Sequence, residues 1–206
     1  MARERRRTSG ERTSLVKPRD VRLDTYDRKS FDRGRPRWIE ALWLVVECLL
    51  VSSPLPGAAH RRWLLRLFGA RIGNGVDIKP RVRIKFPWKL TVGDDSWIGE
   101  GVWIDNLADV KVGSHCCISQ AAYLCTGSHD WSKPGFDLIT ASIDIKDGSW
   151  ICARSIVGPG VATGEGSVLA LGSVATRDLA PWSVYSGVPA VRIKTRYALA
   201  KEPDHS

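Results

Sequence analysis

The chain has 206 residues, 43% of them hydrophobic and 26% charged, which is enough for one domain with a core and a modest appendage. The formal net charge is +9. The five cysteines are an odd number and form no CxxC pair, so the composition indicates neither a disulfide framework nor a zinc knuckle and favours a reducing compartment.

The N-terminal segment, residues 1–35, is predicted to be a basic and flexible tail. Its first part, "MARERRRTSGERTSLVKPR", is rich in Arg and Lys and poor in apolar residues. Such charge attracts anionic lipid or nucleic acid, but no aromatic residue interleaves with it, and we predict no nucleic-acid partner. No apolar stretch of a secretory signal follows the basic start, so we expect a cytoplasmic protein, free or peripheral at the inner membrane face.

Residues 36–71 are predicted to form a helical, basic and aromatic segment. The apolar run "WIEALWLVVECLLV" contains Glu40 and Glu47 and is shorter than the roughly 20 apolar residues that a membrane span needs. We expect a helix that ends at "SSPLP" and is followed by the basic and aromatic piece "HRRWLLRLFGA". Two interpretations remain open: burial against the main domain, or peripheral membrane contact through residues 37–68.

From Ile72 onward, an aliphatic or small residue recurs every six positions. The sets are Ile72, Ile78 and Ile84; Val92, Ile98 and Ile104; Val112, Ile118 and Leu124; Ile145, Ile151 and Val157; and Thr163, Leu169 and Ala175. Six steps of about 100° do not return to one face of a helix, whereas hexapeptides are the repeat of a β-solenoid. We predict about five coils of three hexapeptides over residues 72–180, with a C-terminal extension over 181–206. Gly often follows the aliphatic residue, and we expect it to occupy the turn between faces.

The repeat is interrupted once, over residues 125–144. The stretch "LCTGSHDWSKPGFDL" replaces the aliphatic pattern, which resumes at Ile145. We predict a loop that leaves the solenoid between its third and fourth coils. Of the four histidines, His129 alone lies where the repeat breaks, whereas His115 lies within a repeat at a position expected to face outward.

The motifs resemble those of a known enzyme family. "IGEGVWI", "VGPGVATGEGSVLALGSVATRDLAPWSVYSGVPA" and the internal "SHD" are similar to the hexapeptide-repeat acyltransferases, above all to O-acetyltransferases of the colanic-acid-biosynthesis type and their nodulation, maltose and galactoside relatives. The resemblance covers about residues 55–197. It implies a left-handed parallel β-helix, an exception to the right-handed crossover rule, and a homotrimer with acetyl-CoA in the groove between neighbouring prisms.

The resemblance implies a catalytic role for His129. The reaction is transfer of an acyl group from a thioester to a sugar hydroxyl, and an imidazole is suited to take the proton of an alcohol near neutral pH. Asp130 is either a residue that orients the imidazole or a turn cap.

The candidate acceptor-binding residues are Asn106, which aligns with an asparagine that contacts the acceptor in the family, Asp105 and Trp131. Asn106 is either an acceptor ligand or a turn residue. Asp105 departs from the aromatic or apolar residue more usual there, and Trp131 is the tryptophan nearest the expected site.

The coenzyme A positions of the family also have counterparts. Ala153 and Leu171 match the pantetheine slot, and Leu171 departs from the usual alanine. Thr176, Arg177 and Lys194 match the phosphate side, where cations suit 3′,5′-ADP, although solvated charges near a C-terminus are the alternative.

We therefore predict an acetyl-CoA-dependent O-acetyltransferase that acts on a saccharide or a lipid-linked saccharide, with no metal cofactor. An amine or antibiotic acceptor, or a catalytically silent scaffold, remains an alternative. A solenoid carbonic anhydrase is disfavoured, because no histidine lies four to six residues from His129 to complete a zinc site.

Overall fold

The computed structural model describes residues 21–27 and 31–196. Most of the predicted basic tail, residues 1–20, and the chain end with His205 lie outside the described residues. The helices are α1 (Arg37–Val46), which continues into a π-helical turn (Glu47–Val51), and α2 (Ala59–Leu67). Short 3₁₀ turns cover Leu23–Thr25 and Pro87–Lys89. Within this part of the chain, no helix is both long enough and apolar enough to traverse a bilayer.

Among the described residues, nineteen short strands follow the helices. In chain order they are β1 (Arg71–Ile72), β2 (Asp77–Ile78), β3 (Arg83–Ile84), β4 (Leu90–Val92), β5 (Trp97–Ile98), β6 (Trp103–Asp105), β7 (Val110–Val112), β8 (Cys117–Ile118), β9 (Tyr123–Cys125), β10 (Gly127–His129), β11 (Leu138–Thr140), β12 (Ile143–Ile145), β13 (Trp150–Ile151), β14 (Ile156–Val157), β15 (Ala162–Thr163), β16 (Val168–Leu169), β17 (Val174–Ala175), β18 (Ser183–Gly187) and β19 (Ala190–Thr195).

The strands form three parallel sheets, which are the faces of a prism. Face A has the order β1-β4-β7-β12-β15, face B begins β2-β5-β8-β13-β16-β18, and face C has the order β3-β6-β9-β14-β17. Each coil contributes one strand to each face. The prediction of a mainly β, parallel solenoid of about five coils is therefore confirmed. The parallel pairing continues past residue 180, because β18 pairs with β16 before β19 turns back antiparallel.

The six-residue repeat gives the register of the stacking. Ile104 of β6 pairs with Ile84 below it and with Leu124 above it, and all three are buried. Ladders of this kind fill the prism. A coil cannot bury its aliphatic side chains alone, so the stability of the fold comes from contacts between neighbouring coils.

Glycines after the aliphatic residue do not occupy the turns, and our expectation on this point was wrong. A Cβ on Gly93 would lie 2.6 Å from the Gly113 carbonyl carbon, so the small residue is required by the close approach of the next coil. The left-handed turn position is two residues further on. Asp95 and His115 hold it with φ of 52° and 54°.

The helical segment covers the first-coil end of the prism. Trp43 donates its indole N–H to the Ile84 carbonyl at 2.7 Å, and Arg66 donates to the Ile72 carbonyl at 2.7 Å. Arg62 bonds the Val76 carbonyl at 2.7 Å. These side chains satisfy backbone groups at the open edge of the sheets, where unpaired strands would otherwise template association.

The half-buried carboxyl of Glu47 makes the stability of this cap depend on pH. Burial raises the pKa of Glu47 above its ordinary value, opposed by the hydrogen bond from the Ile84 N–H and by the charge of Arg83. Because the pKa is raised in the folded state, folding favours the protonated carboxyl of Glu47. The stability that this protonation contributes is complete below the unfolded pKa of about 4.3 and is lost as pH rises through the folded pKa. We expect Glu47→Gln to melt at a higher temperature than the unmodified protein at alkaline pH, with the difference shrinking towards acid. Melting curves across pH measure this, and a Gln variant that is less stable at alkaline pH would contradict it.

Candidate active site

The interruption of the repeat is a β-hairpin inserted between β9 and β12. Strands β10 and β11 pair antiparallel, with Gly127 opposite Thr140 and His129 opposite Leu138. Asp130 donates its N–H to the Asp137 carbonyl at 2.8 Å and closes the turn. The predicted loop is thus an ordered hairpin, and His129 lies at the last paired position before its turn.

A backbone carbonyl orients the imidazole of His129. Its Nδ1 lies 2.7 Å from the Phe136 carbonyl oxygen, and a carbonyl can only accept. The contact therefore places the proton on Nδ1 and leaves Nε2 of the neutral ring as an acceptor. The imidazole also stacks on the Phe136 ring with centroids 4.3 Å apart and an interplanar angle of 6°, and the Tyr26 ring meets it edge-on at 5.7 Å.

Asp130 caps the hairpin turn, and within the described residues its carboxylate bonds Ser132 and Lys133 and not the imidazole. Its Oδ1 accepts from the Ser132 hydroxyl at 2.5 Å and from the Ser132 N–H at 3.1 Å, and Lys133 Nζ lies 3.3 Å from Oδ2. The hydrogen bond from the Ser132 hydroxyl is the main cause that lowers the pKa of Asp130. The turn-cap interpretation is the one that this geometry favours.

A cleft of about 390 Å³ lies beside His129. It is lined by Tyr26, Phe31, Arg33, Glu40, Lys85, Phe86, Leu107, His129 and Leu138. Arg33 Nη1 donates to both oxygens of Glu40 at 2.7 Å, and the Phe31 and Phe86 rings stack with centroids 6.1 Å apart. Aromatic side chains and an ion pair thus line the same cleft.

The N-terminal strap, residues 21–27 and 31–36, forms part of that cleft, although the sequence-based prediction assigned most of it to the flexible tail. Arg22 donates its N–H to the Pro134 carbonyl at 2.8 Å, and Trp88 donates its indole N–H to the Arg33 carbonyl at 2.7 Å. Sequence reasoning missed the strap because its contacts join residues far apart in the chain. The aromatic Tyr26 and Phe31 within a basic segment are the only sequence signal that could have drawn attention to it.

Asn106 is fully buried and has a structural role. Its amide donates to the Phe86 carbonyl at 2.6 Å and accepts from the Phe86 N–H at 2.9 Å. The side chain therefore replaces a strand partner for Phe86, whose ring lines the cleft. This favours the turn interpretation over direct contact with an acceptor.

Asp105 lies next to the cleft through Lys85, and Trp131 is not part of its lining. Tyr123 donates its hydroxyl to Asp105 Oδ2 at 3.3 Å, and Lys85 Nζ lies 3.4 Å from Oδ1. Burial, then the neighbouring Cys125 and Asp105, raise the pKa of Tyr123, so its phenol stays protonated and donates. Trp131 is 76% exposed at the hairpin turn and is not among the residues that line the cleft.

The two predicted pantetheine positions stack at one corner. Ala153 and Leu171 each follow paired residues, Ile151 and Leu169, and the Gly172 N–H donates to the Ala153 carbonyl at 3.0 Å. Leu171 is 72% exposed. Along the chain, this corner joins a strand of face B to the next strand of face C.

The predicted phosphate-side positions are divided between two places. Thr176 and Arg177 are exposed and follow β17, at the far end of face C. The order β9-β14-β17 places them two strands, or about 10 Å, from the base of the hairpin that carries His129. Lys194 belongs to β19, opposite Val184, and lines a separate cleft of about 500 Å³ on face B. One prism does not bring all five positions together.

No three His, Cys, Asp or Glu side chains converge into a set that could hold a metal ion, within residues 21–27 and 31–196. The chemistry of the site described above is that of an oriented imidazole beside a cleft with aromatic and charged walls. A hexapeptide solenoid that carries such a histidine on an inserted hairpin has the architecture of the solenoid acyltransferases.

Comparisons with known proteins agree with that class. No protein-family model matches the chain. The putative colanic acid biosynthesis acetyltransferase WcaF of Escherichia coli is 39% identical over 168 residues, which covers 82% of this chain and 92% of the relative. The galactoside O-acetyltransferase of Escherichia coli is 27% identical, over 63% of this chain and 65% of that protein. The chain belongs to the hexapeptide-repeat acetyltransferases and is an enzyme of the acyltransferase class.

Two solved structures share the fold. A hexapeptide-repeat acetyltransferase of Vibrio cholerae, solved with acetyl-CoA, superposes with a TM-score of 0.72 at 23% identity, covering 79% of this chain and 89% of that one. A galactoside acetyltransferase solved with coenzyme A gives a TM-score of 0.70 at 21% identity, covering 78% and 82%. They agree with the left-handed β-helix expected from the resemblance.

Proposed function

We propose that the protein is an acetyl-CoA-dependent O-acetyltransferase that acts on a saccharide or a lipid-linked saccharide, with His129 as the general base. The observation that carries the proposal is the hydrogen bond between His129 Nδ1 and the Phe136 carbonyl, which leaves Nε2 free to accept a proton beside a cleft. The names of the two Escherichia coli relatives, a putative colanic acid biosynthesis acetyltransferase and a galactoside O-acetyltransferase, support a saccharide acceptor.

The chemistry follows from the tautomer of the imidazole. Nε2 takes the proton of the acceptor hydroxyl as its oxygen attacks the thioester carbonyl of acetyl-CoA, and a new C–O bond forms. The tetrahedral intermediate expels the coenzyme A sulfur as the C–S bond breaks, and the imidazolium returns the proton to that sulfur. The Phe136 carbonyl stabilises the imidazolium, because its hydrogen bond to Nδ1–H strengthens when the ring is charged.

The cleft suits the hydroxyls and ring face of a neutral sugar. The half-buried rings of Tyr26 and Phe31 offer apolar surface, with Phe31 supported from behind by the buried Phe86, and the Arg33–Glu40 pair with Lys85 offers donors and acceptors of both signs. Because opposite charges balance within the Arg33–Glu40 pair, the cleft does not select strongly for an ionic acceptor. Asp105 acts on this cleft through Lys85, and Asn106 acts on it through Phe86. Trp131, exposed on the same hairpin, is left to cover a bound acceptor.

Donor binding requires neighbouring copies of the chain. Ala153 and Leu171 offer backbone groups for pantetheine, and Thr176, Arg177 and Lys194 offer phosphate ligands, but these positions lie on different corners and faces. Outward-facing aromatics mark the two faces that would pack: Trp97 and Trp150 on face B, and Trp103 and Tyr123 on face C. A homotrimer of prisms side by side covers these rings and joins the corners of adjacent copies. A monomeric mass in solution would contradict the trimer.

A thiol-release assay with acetyl-CoA tests the proposed function. We expect release of free coenzyme A with galactosides, glucosides or lipid-linked saccharides, and a product whose acetyl group mild hydroxylamine removes, as it does from esters. An amide product from an amino sugar, or acetylation of chloramphenicol alone, would show that the acceptor is an amine or an antibiotic and not a saccharide hydroxyl. A protein that neither releases thiol nor binds acetyl-CoA in calorimetry would be a scaffold.

A further inference from the structure

One surface of the helical segment exposes large apolar side chains that no part of the described chain covers. We call it the cap surface, and its residues are Trp38, Leu42, Val45 and Leu49, with Trp63 and Leu67 of α2. Their exposed fractions are 68%, 48%, 54%, 64%, 62% and 64%. The first four follow one another at spacings of three and four along the helix and its π-helical continuation, so they form a single stripe.

The cap surface is continuous across the two helices. A cleft of about 310 Å³ has both Trp38 and Leu42 of α1 and Leu67 of α2 in its lining. The opposite sides of the helices are buried on the solenoid through Trp43 and Leu65, both 0% exposed. The exposed stripe is therefore a second apolar face, in addition to the one the core requires, and contiguous patches of this kind mark interaction sites.

The location of the cap surface excludes a lateral neighbour as its cover. Side chains of both helices bond the first coil at the end of the prism, through Trp43 to Ile84 and Arg66 to Ile72. In the proposed homotrimer, on which this step rests, prisms pack through faces B and C. The ends stay free, and three cap surfaces then point in one direction, which suits a flat partner.

Charge favours an anionic partner over a second copy of the chain. Arg35, Arg37 and Arg66 are exposed at or beside the cap surface, and the chain as a whole has a net charge of +9. The first 19 residues of the sequence carry further Arg and Lys. Two copies meeting cap to cap would place these like charges against each other. Helices that lie in the interface of an anionic membrane typically have tryptophan and arginine beside an apolar stripe.

We propose that the cap surface docks the protein on an anionic lipid bilayer, with α1 lying in the interface. The same helix carries Glu40, which lines the cleft beside His129. Glu40 follows Trp38 by two residues and so lies on the other side of the helix, which places the cleft about 10 Å, one helix diameter, from the docked face. Docking therefore brings the acceptor cleft close to the lipid headgroups. A saccharide on a lipid carrier would meet the site there, which narrows the proposed acceptor to the lipid-linked class.

Co-sedimentation of the full-length protein with vesicles tests this docking. We expect binding to vesicles of phosphatidylcholine with phosphatidylglycerol, weaker binding to phosphatidylcholine alone, and release by high salt. The triple variant Trp38→Ser, Leu42→Ser and Leu67→Ser is expected to lower the partition by about tenfold or more, because each apolar side chain lost removes area buried in lipid. The single variant Trp63→Ser should lower the vesicle partition to a smaller degree and leave the structure of the protein unchanged.

A matched control lies at the opposite end of the prism. Val188→Ser with Val191→Ser removes two side chains that are 72% and 61% exposed, and it should bind vesicles as the unmodified protein does. The docking proposal is overturned if the unmodified protein does not bind anionic vesicles or if the triple variant binds them equally well. It is also overturned if the unmodified protein has the mass of two associated trimers in solution and the triple variant has half that mass, because the cap surface would then join two copies of the trimer. Thiol release with a water-soluble acceptor is measured on the same samples, so failure of the enzymatic function is seen separately from failure of docking.

Discussion

His129→Ala is expected to lower the turnover of acetyl transfer by about 10²- to 10⁴-fold, because the acceptor hydroxyl then loses the group that takes its proton. The fold of the solenoid should be unaffected, since the imidazole belongs to an inserted hairpin whose strands pair through their backbones. Initial rates of thiol release at saturating acetyl-CoA measure the effect.

Two further variants sharpen this test. The amide nitrogen of an asparagine can take the place of Nδ1, so His129→Asn can retain the hydrogen bond to the Phe136 carbonyl while it lacks Nε2. We expect His129→Asn to be as slow as His129→Ala, which would show that the loss is that of the base and not of the hairpin's order. His115→Asn is the control, because His115 is exposed in a left-handed turn that asparagine tolerates. Near-normal turnover in either His129 variant would contradict the assignment.

Arg61→Ala is expected to reduce the free energy of unfolding of the cap by about 3 kcal/mol or more. The Arg61 side chain is fully buried and donates to the carbonyls of Val51 at 2.8 Å, Ser53 at 2.7 Å, Leu55 at 2.8 Å and Gly57 at 2.5 Å. Alanine would leave these four acceptors without the donor that they share.

Arg62→Ala is the matched control for that prediction. Arg62 is half-buried and donates to one carbonyl, that of Val76, so its loss should cost about 1 kcal/mol. Urea unfolding followed by circular dichroism compares the two, and hydrogen exchange at residues 51–61 shows whether the loss is local. Equal stability of the Arg61 and Arg62 variants would mean that the buried guanidinium does not organise the cap.

The solenoid could be predicted from the sequence because its information is local and repeated. Ile84, Ile104 and Leu124 occupy equivalent positions in successive coils, and each is buried for the same reason as its neighbours. Because the pattern recurs in every coil, one atypical residue does not obscure the six-residue period. The turn position was misread because Gly93 and Gly113 stand where coils approach most closely, and a glycine required by contact looks the same in sequence as one required by a turn.

The candidate site was predicted only as far as its histidine. The break in the repeat pointed to His129, but the partner of Nδ1 depends on the backbone of Phe136, whose φ of 49° a sequence does not report. Asn106 illustrates the same limit. An asparagine in a turn and an asparagine in a binding site have the same neighbours in sequence, and only the burial against Phe86 distinguishes them.

By itself, the sequence determined the six-residue period, the number of coils to within a partial turn, the place where the hairpin leaves the prism and the histidine on it. These follow from side-chain size and polarity at fixed spacing, which each coil needs in order to bury its own strands. Only the tertiary structure decided the tautomer of His129, the strap that forms the cleft with Tyr26 and Phe31, and the exposed stripe of α1. Those features depend on which distant segments meet, and that is set by packing of the whole chain and not by any local pattern.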